Sequence, residues 1–335
     1  MDPISQGTVG AVFAQSVANK NNIAIIGVVG FLAGLAPDLD VFIRSSTDPV
    51  LFLEYHRQFT HSLFFIPFGA LIVSVFLFPL VRKSLRFKAT YVASFLGYAT
   101  HGLLDACTSY GTLLFWPFSN ERITWNNISI VDPLLTIPAI ILLAVAVKTS
   151  RRRFSFFAVG WTIFYLALGL VQYERAMSSG LKLAQSRGHS AERMTLKPSF
   201  GNLILWKSIY QHEGRFYVDA IRAGRVLTWC FGESIKIFDY QYHLSDLEKN
   251  SQQMRDIERF RWFSQDYLGF DGDKNLVTDV RYSMIPNQIA PMWGLVIDER
   301  KGTNEHAVWW TSRDLNDESL TLFKEMLLGN RCSAY

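Results

Sequence analysis

Cysteine is scarce: the 335 residues hold three, Cys107, Cys230 and Cys332. Three cannot build the disulfide framework of a small secreted domain, and their wide spacing excludes a compact zinc knuckle. One bridge, Cys230 to Cys332, is open to the chain if its second half lies in an oxidising compartment. Charge is scarce too: 19% of residues are charged against 49% hydrophobic, which lies on the apolar side of an ordinary soluble protein. The net charge of +4 is small and scattered. No basic stripe interleaved with aromatics is present, so nucleic acid is not the expected partner. Residues 4–18 follow no basic stretch and precede no clear small-residue cleavage site, so a signal peptide is not expected.

What is present is divided unevenly. Residues 1–172 hold long apolar runs joined by short charged connectors, whereas 173–335 read as a mixed soluble sequence. Residues 62–81, SLFFIPFGALIVSVFLFPLV, run for twenty positions without a charge, enough for a helix to cross a hydrocarbon core of roughly 30 Å. Residues 133–147 and 154–172 are the next spans. Residues 23–36 and 89–106 are shorter or more polar and suit helices sheltered by neighbours, and 4–18 suits a further short helix. The expected fold class is an all-α multi-span membrane helical domain, 1–172, followed by a soluble α+β domain, 173–335.

In that second domain, 173–188 reads as a helix leaving the membrane, and 202–223 as two strands around HEGR with Gly214 in the turn. Further strands are expected at 276–284, 291–298 and 306–312, and helices at 244–266 and 315–328. His189, His212, His243 and His306 are scattered and form no metal-ligand spacing.

The connectors VRKSLRFK, 81–88, and KTSRRRF, 148–154, are the densest Lys/Arg clusters beside spans, and the positive-inside rule puts both in the cytoplasm. The chain then threads inward at 62–81, outward at 89–106, inward at 133–147 and outward at 154–172. Trp116 and Trp125 fall in the outer loop, where an interfacial belt belongs.

On this topology Asp38, Asp40, His56, His61, His101, Asp105 and Asp132 all come to one level of the membrane. Ionisable groups inside spans are costly and therefore paired, watered or functional. His101 and Asp105 stand at i and i+4 on one helix face, and DLD follows a helix that Pro37 ends. Each piece has a structural account as well: PDLD as a turn and cap, His101 with Asp105 as an interhelical pair, Asp132 before Pro133 as an N-cap. Together, three imidazoles and four carboxylates without cysteine suit Zn²⁺, with Mn²⁺ or Fe²⁺ as alternatives. Seven ligands exceed one tetrahedral ion and fit two ions sharing a carboxylate.

GLAPDLD, HRQFTHS, HGLLDACTSYGTLLFWPFS and SIVDP, in this order, resemble the bacterial inner-membrane metal-dependent hydrolases described as LexA-regulated, the YdjM-like group. The likeness covers about 1–172. It implies a membrane-embedded helical hydrolase domain with a metal centre, its ligands matching the same seven residues.

The chemistry expected is hydrolysis by a metal-activated water, with two Zn²⁺ as cofactors. His101, Asp105, His61 and Asp38 are the firmest ligands. Asp40 and His56 serve as ligands, orienting groups or a general base, and Arg57 as a clamp for an anionic substrate or an interfacial arginine. Ser62 after His61 reads as a helix cap rather than a nucleophile. A site at the outer boundary favours an amphiphilic ester or phosphoester, with membrane lipids as partners. A proton or ion transporter and a scaffold with a structural metal are the competing classes. Reporter fusions test the threading: a fusion after residue 86 is expected to report cytoplasm and one after residue 200 the exterior, and a cytoplasmic signal at 200 would overturn the orientation.

Overall fold

Asp2 and Pro3 start the first helix, the Asp2 carboxylate accepting from the Ser5 amide at 3.0 Å and Pro3 occupying a position whose amide would be unpaired anyway. The computed structural model describes residues 1–313 and 316–334. It divides into two compact units, one of residues 1–43, 55–171 and 200–202, the other of 44–54, 172–199 and 203–335.

The first unit is helical. Helices α1 (Pro3–Gln15) and α2 (Ile23–Leu35) are followed by a 3-10 segment, Ala36–Phe42, which Pro37 initiates. Short helix α3 (Leu51–Tyr55) and a 3-10 turn, Phe59–His61, lead to α4 (Ile66–Val81), and then come α5 (Phe87–Ala106), α6 (Pro133–Thr149) and α7 (Arg153–Ser186). Small residues let α1, α2 and α5 approach closely. A Cβ on Gly30 would lie 2.3 Å from the Ala14 Cβ, and one on Gly97 would lie 2.4 Å from the Gly30 carbonyl oxygen. This backbone contact fixes the height of α5 against α2, on which the polar site depends.

Outward faces of α4, α6 and α7 carry exposed large apolar side chains, among them Phe76, Leu80, Ile137, Ile141, Phe157 and Ile163, as a lipid-facing surface does. Among the described residues, two stretches are long and apolar enough to cross a membrane, Ile23–Phe42 and Arg153–Ser186. The 62–81 run, expected to be one straight span, is not one. Ser62 is extended, its hydroxyl donates to the Phe59 carbonyl and accepts from the Phe65 amide, and the helix begins only at Ile66. The 16 residues of α4 span about 24 Å at 1.5 Å each, and the preceding helical segment meets it at 86°. It makes a third span only if that bent pair crosses as one. Helix α5 is long but carries the polar site and buries much of its surface, and α6 has 17 residues.

In the second unit, a five-stranded antiparallel sheet has the order β1-β2-β3-β4-β9, from β1 (Arg193–Pro198), β2 (Leu205–His212), β3 (Arg215–Ala223), β4 (Leu227–Lys236) and β9 (Ser333–Ala334). The β2–β3 hairpin pairs His212 with Arg215 across Glu213 and Gly214, both at positive φ, the two-residue turn that twisted strands prefer. A second antiparallel sheet runs β5 (Leu268–Asp271), β6 (Leu276–Asp279), β7 (Trp293–Val296), β8 (Val308–Thr311). Helices α8 (Tyr240–His243), α9 (Gln252–Phe263) and α10 (Asp317–Leu328) complete the unit. Leu315, the first residue of the helix expected at 315–328, lies outside the described residues. A disulfide joins Cys230 to Cys332.

Lys207 on β2 is 2% exposed and donates to the Ser283 hydroxyl at 2.6 Å and the Gln288 carbonyl at 2.8 Å. Burial pushes its ammonium down to about 7. An unfolded lysine holds its proton to about 10.4, so between these values the unfolded chain binds more protons and stability climbs with pH. Chemical denaturation of the solubilised protein should therefore show stability rising from pH 7 to 10, and Lys207→Met should flatten that rise. An unchanged pH dependence in the variant would assign the slope elsewhere.

Candidate metal centre

Three segments supply the polar site. The break after α2 carries Asp38 and Asp40, the turn before α4 carries His56, Arg57 and His61, and α5 carries His101 and Asp105 one turn apart. Tyr98 of α5 ties the second of these to the third, its hydroxyl donating to the Thr60 carbonyl at 2.8 Å.

His101 is fully buried, and its Nδ1 lies 2.5 Å from the Gly34 carbonyl oxygen. A carbonyl only accepts, so Nδ1 carries a proton, and in the neutral ring Nε2 presents the lone pair. That Nε2 faces Nε2 of His61 at 2.9 Å. His61 turns its Nδ1 toward Asp40 Oδ2 at 3.2 Å, so its neutral ring would likewise offer Nε2 as a lone pair. Asp38 Oδ1 lies 3.5 Å from the His61 nitrogen and 3.3 Å from that of His101, and Asp105 Oδ2 lies 3.2 and 3.6 Å from the same two atoms. Two lone pairs and two carboxylate oxygens thus converge.

Four ligands at about 2.0–2.1 Å around a tetrahedral ion stand about 3.3–3.4 Å apart, and the distances between these donors scatter around that value. Asp105 Oδ2 is buried without a hydrogen-bond partner, whereas Oδ1 is held by the Gln6 amide at 2.9 Å and by the Met1 amine. One oxygen is anchored by hydrogen bonds, and the other, paired only with charged neighbours such as Arg57 Nε at 3.1 Å, faces the two histidines. Asp38, His61, His101 and Asp105 therefore fit a divalent cation.

A second group, Asp38, Asp40 and His56, shares Asp38 with the first. Asp40 is the most heavily used residue here. Its Oδ1 meets His56 Nδ1 at 2.7 Å, and its Oδ2 accepts from the Arg57 amide at 3.0 Å and the Thr60 hydroxyl at 2.8 Å. The side chains of Asp38 and His56 are 26% and 21% exposed, while Asp40, His61, His101 and Asp105 are shut away. The second group is thus the open side of the site.

Two expected members stand elsewhere. Asp132 caps α6, accepting from the Leu134 amide at 3.2 Å and the Tyr165 hydroxyl at 2.8 Å, and is in neither donor group. Its place before Pro133 gives it the capping role, the structural account available from the sequence. Arg57 does not reach outward to a substrate. It is 5% exposed, its Nε lies 3.1 Å from Asp105 Oδ2, its Nη1 donates to Thr108 at 3.0 Å, and its guanidinium covers the Tyr110 ring. The residue adopts φ 65°, a conformation unusual for a bulky side chain, which lets its amide reach Asp40 while its side chain turns to Asp105.

The family model of the YdjM inner membrane protein matches residues 1–176. The chain belongs to the YdjM inner membrane protein family. Its YdjM region contains every residue of both donor groups. The uncharacterized protein YfhP of Bacillus subtilis (strain 168) is 23% identical over 201 residues, which span 60% of this chain and 60% of YfhP. No solved structure matches the chain.

Sequence reasoning missed one cluster in the second unit, Asp48, Asp256 and His306. Arg259 already fills the place of a cation there, donating to both Asp48 oxygens at 3.0 and 2.8 Å. Distant positions in the chain form it, so no local spacing could have signalled it.

Gly102, between the two α5 ligands, permits the closest approach in the site: a Cβ there would lie 2.1 Å from the His61 carbonyl oxygen. Gly102→Ala must push His61 away, and Zn²⁺ titration should register a loss of affinity of about tenfold or more. Gly160→Ala, on α7 with nothing within 4 Å of the added atom, should leave affinity unchanged. Equal affinity in both variants would contradict the described packing of His61 on α5.

Proposed function

We propose that this YdjM-family protein is a membrane-bound metal-dependent hydrolase whose site opens at the outer membrane-water boundary and acts on a lipid or lipid-linked ester or phosphoester. The observation that carries the reading is the pair of imidazole nitrogens, Nε2 of His61 and Nε2 of His101, 2.9 Å apart and flanked by Asp38 and Asp105 in a buried setting. A divalent cation among these donors would offset their negative charge.

Asp38, His61, His101 and Asp105 would hold the buried ion; Asp38, Asp40 and His56 would hold a second, sharing Asp38. Bound divalent ions supply a water acidified toward neutral pH and a Lewis acid for the substrate's oxygen. The chain does the rest. Gly34 and Asp40 fix the tautomers of His101 and His61, and Arg57 offsets the charge of Asp105. Four protein donors close the buried group, so the exposed group, with three, is where a water and a substrate have room.

Exposed Leu39 sits between the two acidic residues, and Phe42 and Phe64 lie exposed on the segments that carry Asp40 and His61. An apolar rim around an acidic, metal-binding mouth favours a substrate with a lipid portion. The Cys230–Cys332 bridge supports an oxidising, extracytoplasmic side for the second unit, in line with the basic connectors. A scaffold with a structural metal is the second reading, favoured by the closed four-donor group alone.

Metal analysis should find about two ions per chain in wild type, with both lost or weakened in Asp105→Ala and His61→Ala and one retained in His56→Ala. A metal-free wild type at full stability sinks the reading. Reconstitution with mixed lipids and Zn²⁺ or Mn²⁺ should release headgroups, and no turnover with either metal removes the lipid substrate class. If His56→Ala keeps both ions yet loses turnover, the 2.7 Å contact with Asp40 marks His56 as the proton acceptor instead.

A further inference from the structure

The α1–α2 loop and the α6–α7 connection of the first unit border an open cavity of about 430 Å³, lined by Asn19, Lys20, Ser150, Arg151, Arg152 and Arg153 together with Ala18. All four of its cations are exposed. Among the described residues, none of the four has a carboxylate partner, and Arg152 and Arg153 lie over the rings of Phe156 and Phe154 at 5.9 and 4.9 Å.

The surroundings offer no counter-charge in sequence either. Residues 3–37, 66–104 and 133–173, which carry α1, α2, α4, α5, α6 and the membrane part of α7, contain no Asp or Glu. Leu85, from the connector holding Arg82, Lys83 and Arg86, packs with Ala18, Ile23, Ala146 and Phe154. The second basic connector therefore lies at the same end of the helices as the cavity. Like charges gathered this way repel one another unless an anion joins them.

We propose that this cavity binds the phosphate-bearing headgroup of an anionic phospholipid, with Lys20, Arg151, Arg152 and Arg153 as its charge partners. The fork of arginine donors suits a phosphodiester, and a basic pocket between the ends of membrane helices is where such headgroups are taken. A lipid rather than a soluble phosphate is indicated by the elements themselves. They present exposed Val17, Phe156 and Phe157 beside the cations in sequence, so a ligand with apolar chains gains contacts that free phosphate lacks. The inference is independent of any activity at the metal centre.

The test is native mass spectrometry of the full-length protein, delipidated in detergent and offered phosphatidylglycerol and phosphatidylcholine in equal amounts. Phosphatidylglycerol should be retained in preference by about tenfold, millimolar inorganic phosphate should not displace it, and the double variant Lys20→Gln with Arg152→Gln should lose the preference. A matched variant, Arg82→Gln with Lys83→Gln, removes the same charge outside the cavity and should keep it. Equal retention of the two lipids overturns the proposal. So does displacement by inorganic phosphate, which would make this a soluble-phosphate site, and so does an equal loss in both double variants, which would make the preference a diffuse charge effect. Unchanged metal content in both variants guards against misfolding.

Discussion

Two imidazole Nε2 atoms and two carboxylate oxygens meet around one largely buried space, and the rest of the first unit is arranged to keep them there. Moving a carboxylate out of water costs several kcal/mol even after relaxation, so convergence of this kind persists only with compensation. Part of the compensation is visible. Arg57 lies on Asp105, Gln6 on its other oxygen, and Asp40 on both His56 and His61. The His61 and His101 Nε2 atoms with Asp38 and Asp105 form a donor set that suits a divalent cation in charge and ligand type.

That constraint explains local features that otherwise look unrelated. Pro37 ends α2 so that two carboxylates follow in a tight 3-10 turn. Arg57 takes a left-handed backbone so that its amide and guanidinium serve different aspartates. Gly102 has no side chain because the His61 backbone passes over it, and Gly30 and Gly97 bring α2 and α5 together, with Gly34 one turn beyond Gly30 to receive His101. The apolar run after His61 stays non-helical for four residues because Ser62 closes a turn there. Site geometry, rather than hydropathy, sets where α4 begins.

Much of this was legible in the chain. The i, i+4 pair on α5, the DLD turn and the His-rich approach to α4 each signal their own chemistry, and their joint occurrence points to the donor set that converges. In the second unit HEGR reads directly as a two-residue turn, with Glu213 and Gly214, the two residues between the paired His212 and Arg215, at positive φ. Other features were hidden. Hydropathy sees 62–81 as continuous because Ser62 is uncharged, although its hydroxyl ends the helix. Strand β4 breaks its alternation at Gly232 and Glu233, and β1 ends in Pro198, a residue suited to an edge strand, so neither stands out. Arg57 reads as outward-facing because its spacing beside His56 says nothing of the inward turn that φ 65° imposes.

The central claim is that His61, His101, Asp38 and Asp105 enclose one divalent ion. X-ray absorption at the zinc edge, on purified full-length protein loaded with one equivalent of Zn²⁺, tests it most directly. The account predicts four nitrogen or oxygen ligands at about 2.0–2.1 Å, with outer scattering from two imidazoles that falls to that of one in His101→Ala. Sulfur ligation at about 2.3 Å, or a shell of oxygens with no imidazole scattering, would contradict it.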